Sequence, residues 1–194
     1  MGKDLPNYLI ELAREELCVS TEFSTGYYDD PHFIGATCEA FIRDGSEKIL
    51  IAKADIYAVD KSIVSDRIFH ICDELIESSD LLKLAYAMTE ICDEESEWYN
   101  MEIDCSRRVY FIEHFKVCSG FRGKGLGRDV ARKILINAGA TSCPIFLTPD
   151  TYSDEDGPNL DIVEKFWLGL QEDVCIMDKP DMSRKVFYIP EFNP

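Results

Sequence analysis

Arg122-Gly123-Lys124-Gly125-Leu126-Gly127 is the segment whose residue types and spacing bear most directly on chemistry. Three glycines at alternate positions let a backbone turn sharply and let a ligand approach without Cβ atoms in the way. The segment lies between a β-rich run ending near Cys118 and a helical run beginning near Leu126. Its last amides therefore open a helix, where unbonded N–H groups and the positive end of the dipole attract anions. The chemistry implied is the cradling of a diphosphate. Two other glycine-rich motifs are not met. Lys124 is followed by Gly125 where a Walker loop needs Ser or Thr, and Arg128 stands where a dinucleotide fingerprint needs its third glycine.

Charge points the same way. From Arg107 to Lys133 there are eight bases and two acids, a net +6, while the remainder of the chain carries −23. A basic island in an acidic protein asks for a local polyanion such as a nucleotide or a phosphate. A chain of net charge −17 makes a poor general binder of nucleic acid and suits a cationic partner better.

The elements that must position this turn can be read from periodicity. Leu5, Tyr8, Leu9, Leu12, Ala13 and Leu17 predict a helix over 5–16, and a short strand follows to Phe23. Residues 32–43 and 48–59 are β-rich around Asp44-Gly45-Ser46, a hairpin signal. Two helical patterns follow, one from Ile63 to Ile76 and one from Leu81 to Ile91 with Asp80 as N-cap. Asp93 to Glu97 reads as a solvated turn. Arg107 to Cys118 reads as a strand with Val109, Phe111, Glu113, Phe115 and Val117 on one face. A helix from Leu126 to Ala138, with Val130, Ala131, Ile134 and Leu135 inward and Gly139 closing it, leads to an apolar strand over 141–148. Ile162, Val163, Phe166, Trp167 and Leu170 predict the next helix, and two strands near 174–178 and 185–190 end the chain. The expected class is α/β of the α+β type, a mixed and mainly antiparallel sheet flanked by helices.

With 194 residues, one domain over 1–194 is expected, with a helical insertion near 60–105. No apolar run approaches the ~20 residues of a membrane span, the N-terminus has no apolar signal core, and Pro6 stands where a myristoylation signal needs Ser or Thr. A cytoplasmic protein without membrane or nucleic-acid partners is expected. The eight cysteines lie more than ten residues apart and form no C-x-x-C pair, so no metal site is expected and they read as reduced, mostly buried thiols.

The Arg122–Gly127 segment resembles the R/Q-x-x-G-x-G/A signature of the GNAT superfamily of N-acetyltransferases. Phe115 and Val117 fit the apolar positions of the strand before it, and the order of elements from Val109 to Ile189 is similar to that family's. The resemblance is close over the C-terminal half and looser before it. It implies a sheet with splayed central strands and acetyl-CoA as the cofactor. Phe115 and Val117 would pair with the pantetheine through their main chain. The amides of Gly123, Lys124, Gly125, Leu126, Gly127 and Arg128 would hold the diphosphate, with Arg122 and its neighbouring cations neutralising it.

Direct attack of an amine on a thioester requires a group to take the amine's proton and, optionally, one to protonate the thiolate. By the resemblance, Glu113 is the expected base, with Asp104 and Glu102 as alternatives. His114 is expected to pack on the opposite face. The family's Tyr in the last helix is replaced by Trp167, beside Phe166, so Tyr152 in the preceding loop is the candidate acid. Asn159 is one residue out of register with the family's Asn, and Cys118 and Cys143 read as buried structural thiols. The expected activity is acetyl transfer to a primary amine of a small cationic molecule or a basic peptide. A homodimer is allowed for. The alternative is an inactive CoA-binding sensor or interaction module.

Overall fold

The computed structural model describes residues 6–25, 33–60, 79–148, 160–178 and 185–194. Alternating apolar and polar residues build three antiparallel strands, β1 (Cys18–Thr25), β2 (Phe33–Asp44) and β3 (Glu47–Asp60). The β2–β3 hairpin turns at Gly45, whose φ of +61° lies in the region that glycine adopts without Cβ strain. β4 (Arg108–Val117) runs antiparallel to β3, and β5 (Ile145–Leu147) lies parallel to β4. β6 (Cys175–Met177) and β7 (Val186–Ile189) complete one sheet in the order β1-β2-β3-β4-β5-β7-β6. The architecture is mixed α/β: a seven-stranded, mostly antiparallel sheet flanked by helices.

Both faces of the sheet carry a core. On the first face, α1 (Asn7–Glu15), α4 (Gly127–Asn137) and α5 (Leu160–Leu168) cover the sheet. Val130, Ala131, Ile134 and Leu135 recur at helical spacing and are buried. Burial stabilises by about 1.5–3 kcal/mol for each of the larger side chains. The second face is covered by α2 (Ser79–Cys92) and α3 (Met101–Cys105), through Leu84, Met88, Ile91 and Ile103. These two helices stand between β3 and β4 in the chain, so the 60–105 segment includes the cover of this face. No helix among the described residues is long and apolar enough to cross a membrane.

Several expectations are corrected. Asp80 lies within α2, not before it. β5 is three residues long, because 141–143 form a turn before it. α5 ends at Leu168; Leu170 is buried beyond it, and Ile162 is exposed. Of the seven described cysteines only Cys38 is buried; Cys18 and Cys105 are exposed and four are intermediate. The helix expected over 63–76 lies outside the described residues.

Candidate active site

β4 and β5 pair at three positions only, Tyr110 with Ile145, Phe111 with Phe146 and Ile112 with Leu147. β4 then continues from Glu113 to Val117 with no β5 partner among the described residues. The N–H of Cys118 donates to the carbonyl of Ile51 on β3 at 2.8 Å. By strand alternation the main-chain groups of Val117 and Phe115 face the other edge, toward the opening. A cleft of about 730 Å³ occupies this opening, within the range of ordinary ligand sites.

Glu113 sits at the inner end of the cleft because of a β-bulge. Asp55 pairs with His114 and Ile56 with Ile112, leaving Glu113 as the extra residue. An extra residue shifts the in–out alternation by one and re-aims its own side chain. Val109 and Phe111 accordingly lie in the second core, while Phe115 and Val117 pack against the first. The expectation that all five residues share one face is therefore corrected. Glu113 is half-buried, and its Oε2 accepts the hydroxyl of buried Tyr57 on β3 at 2.8 Å. His114, expected to pack, is exposed.

The glycine turn forms the outer end. A short 3₁₀ turn, Ser119–Phe121, buries Phe121 and leads into Arg122, whose Nε donates to the carbonyl of Val117 at 2.7 Å. Gly123 and Gly125 adopt φ of +70° and +78°, and a Cβ at either would meet nothing within 4 Å. These glycines are demanded by backbone conformation, and the space beside them is open. α4 follows with no side-chain cap, so its first N–H groups are left for solvent or a ligand. Gly127 has a different role: a Cβ there would lie 2.9 Å from Cε2 of Phe166, so its bareness lets α5 approach α4.

An aromatic wall joins the two ends. Phe115 stacks on Phe166 with centroids 5.6 Å apart, and Trp167 meets both rings edge-on at 5.3 and 4.8 Å. Trp167 is buried.

Of the residues expected at the site, the cleft brings together Glu113, Phe115, Val117, Arg122, Gly123, Gly125, Gly127 and Arg128. Lys124 is exposed with its carbonyl 3.4 Å from Nη2 of Arg14, and the Leu126 side chain is buried in the first core; neither lines the cleft. Glu102 and Asp104 lie on α3, also away from it. Tyr152 and Asn159 lie outside the described residues.

The basic island divides in space. Arg122 and Arg128 line the cleft, whereas Arg107 pairs with Asp60 at 3.1 Å and Arg132 donates to the carbonyl of Leu170 at 2.7 Å. Lys165, outside the island, joins the cleft from α5. Three residues that sequence reasoning missed are Tyr57, Lys165 and Thr148. Only Lys165 left a signal, as a cation one residue before the aromatic pair. Burial pushes the thiols of Cys118 and Cys143 up, against the opposing pull of Arg122 on the first and Arg108 on the second. Neither lines the cleft, and a raised thiol is a poor nucleophile.

Among the described residues no cluster of three or more His, Cys, Asp or Glu is arranged to hold a metal ion. Comparison with known proteins finds no family model and no curated protein that matches the chain.

Proposed function

We propose that this chain is an N-acetyltransferase of GNAT-like fold that transfers an acetyl group from acetyl-CoA to a primary amine. The observation that carries the reading is the run of β4 beyond its last β5 pair, which ends in a glycine turn that opens α4. A strand edge with no β5 partner among the described residues suits an extended amide-bearing ligand, which adds to a sheet as another strand would. The uncapped helix start and Arg122 and Arg128 suit a diphosphate at the other end. The apolar wall between them suits an alkyl and thioether chain.

In this reading bound acetyl-CoA supplies an activated thioester. Phe115 and Val117 hold its amides through their main chain, and the amides of residues 123–128 hold its diphosphate. Phe166 and Trp167 exclude water from the thioester end. Glu113, fixed by Tyr57, takes a proton from the amine as its nitrogen bonds to the carbonyl carbon. Trp167 is no useful acid, so the thiolate leaves unprotonated or takes a proton from water. The net negative charge outside the basic island favours a cationic acceptor, and the setting is cytoplasmic.

The replacement of an acidic hydroxyl by Trp167 favours one second reading, a CoA-binding sensor without turnover. Release of free CoA thiol from acetyl-CoA across a panel of amines tests both. Amine-dependent release is expected; tight CoA binding with no release for any amine favours the sensor.

A further inference from the structure

Thr148 follows the last residue of β5 and is 5% exposed, yet its Oγ1 is buried without a hydrogen-bond partner among the described residues. A buried hydroxyl left unbonded is costly, so it marks a place where a partner is missing. Thr148 also lines the cleft. Its position is set by register: Leu147 is the last β5 residue to pair with β4, opposite Ile112. The next residues on the two strands are Glu113 and Thr148, which flank the point where the sheet opens. Phe146 belongs to the second core and Leu147 to the first, and continued alternation turns Thr148 toward the second face. Tyr57, which bonds Glu113, belongs to that same second core. The glycine turn and α4 lie across the first face. The hydroxyl and the carboxylate thus converge from the side opposite the diphosphate cradle.

We infer that Thr148 is the second anchoring point for the acceptor nitrogen, its hydroxyl accepting one N–H while Glu113 accepts the other. This inference rests on the acyltransferase reading and deepens it. A neutral primary amine has two N–H bonds and one lone pair. Holding both N–H bonds leaves only the lone pair to face the thioester. A secondary amine has one N–H, so its N-alkyl group meets the hydroxyl and leaves it unbonded. Thr148 therefore selects primary over secondary amines.

The test compares kcat/KM for n-butylamine and N-methylbutylamine in the wild type, Thr148→Val and Thr148→Ser. Valine keeps the shape and removes an unsatisfied hydroxyl, so this variant should melt no lower than the wild type. The primary-to-secondary ratio is expected to fall about tenfold in Thr148→Val, the size of one hydrogen bond, and to survive in Thr148→Ser. Acetyl-CoA affinity by calorimetry should stay unchanged in both. A wild-type protein that acetylates amines, with a ratio that Thr148→Val leaves intact, overturns this inference and spares the acyltransferase reading. A wild-type protein that acetylates no amine overturns both.

Discussion

The hydroxyl of Tyr57 donates to Oε2 of Glu113 at 2.8 Å, tying a bulge residue of β4 to the neighbouring strand β3. A bulge leaves its extra residue out of the ladder and re-aims its side chain. The tyrosine holds that side chain, and in the acyltransferase reading it fixes where the carboxylate takes a proton. Glu113→Gln keeps the shape and removes the proton acceptor, and kcat is expected to fall by roughly 10²–10⁴-fold with CoA affinity unchanged. Tyr57→Phe should cost about tenfold in kcat with CoA affinity unchanged. A kcat that Glu113→Gln leaves unchanged would assign the base elsewhere.

Gly125 is expected to matter for ligand binding through both its backbone and its bareness. Gly125→Val should abolish CoA binding in a folded protein, as read by calorimetry. Gly45→Val is the control, because Gly45 has a similar positive φ and also open space, but lies in a remote hairpin. Both variants bear backbone strain of about 1–2 kcal/mol. Equal CoA affinity in the two would refute the cradle.

Gly127 should act on stability instead. Gly127→Ala drives a methyl to 2.9 Å from the Phe166 ring and should destabilise by about 1–3 kcal/mol in urea unfolding. Phe166→Leu in the same chain should recover part of that loss. If Gly127→Ala alone leaves the urea midpoint unmoved, α5 is not held as close to α4 as this contact requires.

Acceptor charge gives a fourth expectation. Asp93 to Glu97 form an exposed acidic turn, and the chain outside the basic island carries −23. Spermidine and similar polycations should be acetylated with higher kcat/KM than acidic amino acids. Added salt should raise their KM, because attraction over about 8 Å is screened at physiological ionic strength. Salt-independent turnover of an anionic amine at equal efficiency would leave the acidity without a role in acceptor choice.

A pH effect follows from Glu39, which hydrogen bonds to Lys53 and Lys48 and is held down at about 2. A depressed carboxylate stabilises the fold above its unfolded value and loses that contribution as pH falls through the folded one. Glu39→Gln should lower Tm by ~2 °C near neutrality, and the difference should vanish between about pH 4.5 and 2. A difference that persists at pH 2 points to packing and not to charge.

The sequence carried the strand–turn–helix of 108–137 well, because alternation, a glycine triplet and a 3.6-residue period each act within a few neighbours. Val130, Ala131, Ile134 and Leu135 all face the core as their spacing requires. The side on which Glu113 projects was not legible. Its bulge arises from register against Asp55 and Ile56, about sixty residues earlier, and leaves no local mark. Tyr57 reads as one more residue of a long strand, and its contact with Glu113 spans 56 positions of chain. The apolar run over 141–148 makes Thr148 the end of a strand, whereas β5 is three residues long and ends at Leu147. The basic island is one patch only along the chain; in space Arg107 and Arg132 project toward Asp60 and Leu170.

The three-rung seam between β4 and β5 has a mechanical meaning. The sheet is two rafts, β1 to β4 and β5 to β7, joined by far fewer rungs than hold β2 to β3. Pulled apart, such a sheet loosens on the β5 side first, because the β5–β7 and β6–β7 pairings are also three rungs each, while β1 to β4 are held by many more. A ligand of the proposed kind, bonded to β4 and braced by α4 and α5, would act there as a strut and stiffen the join between β4 and β5.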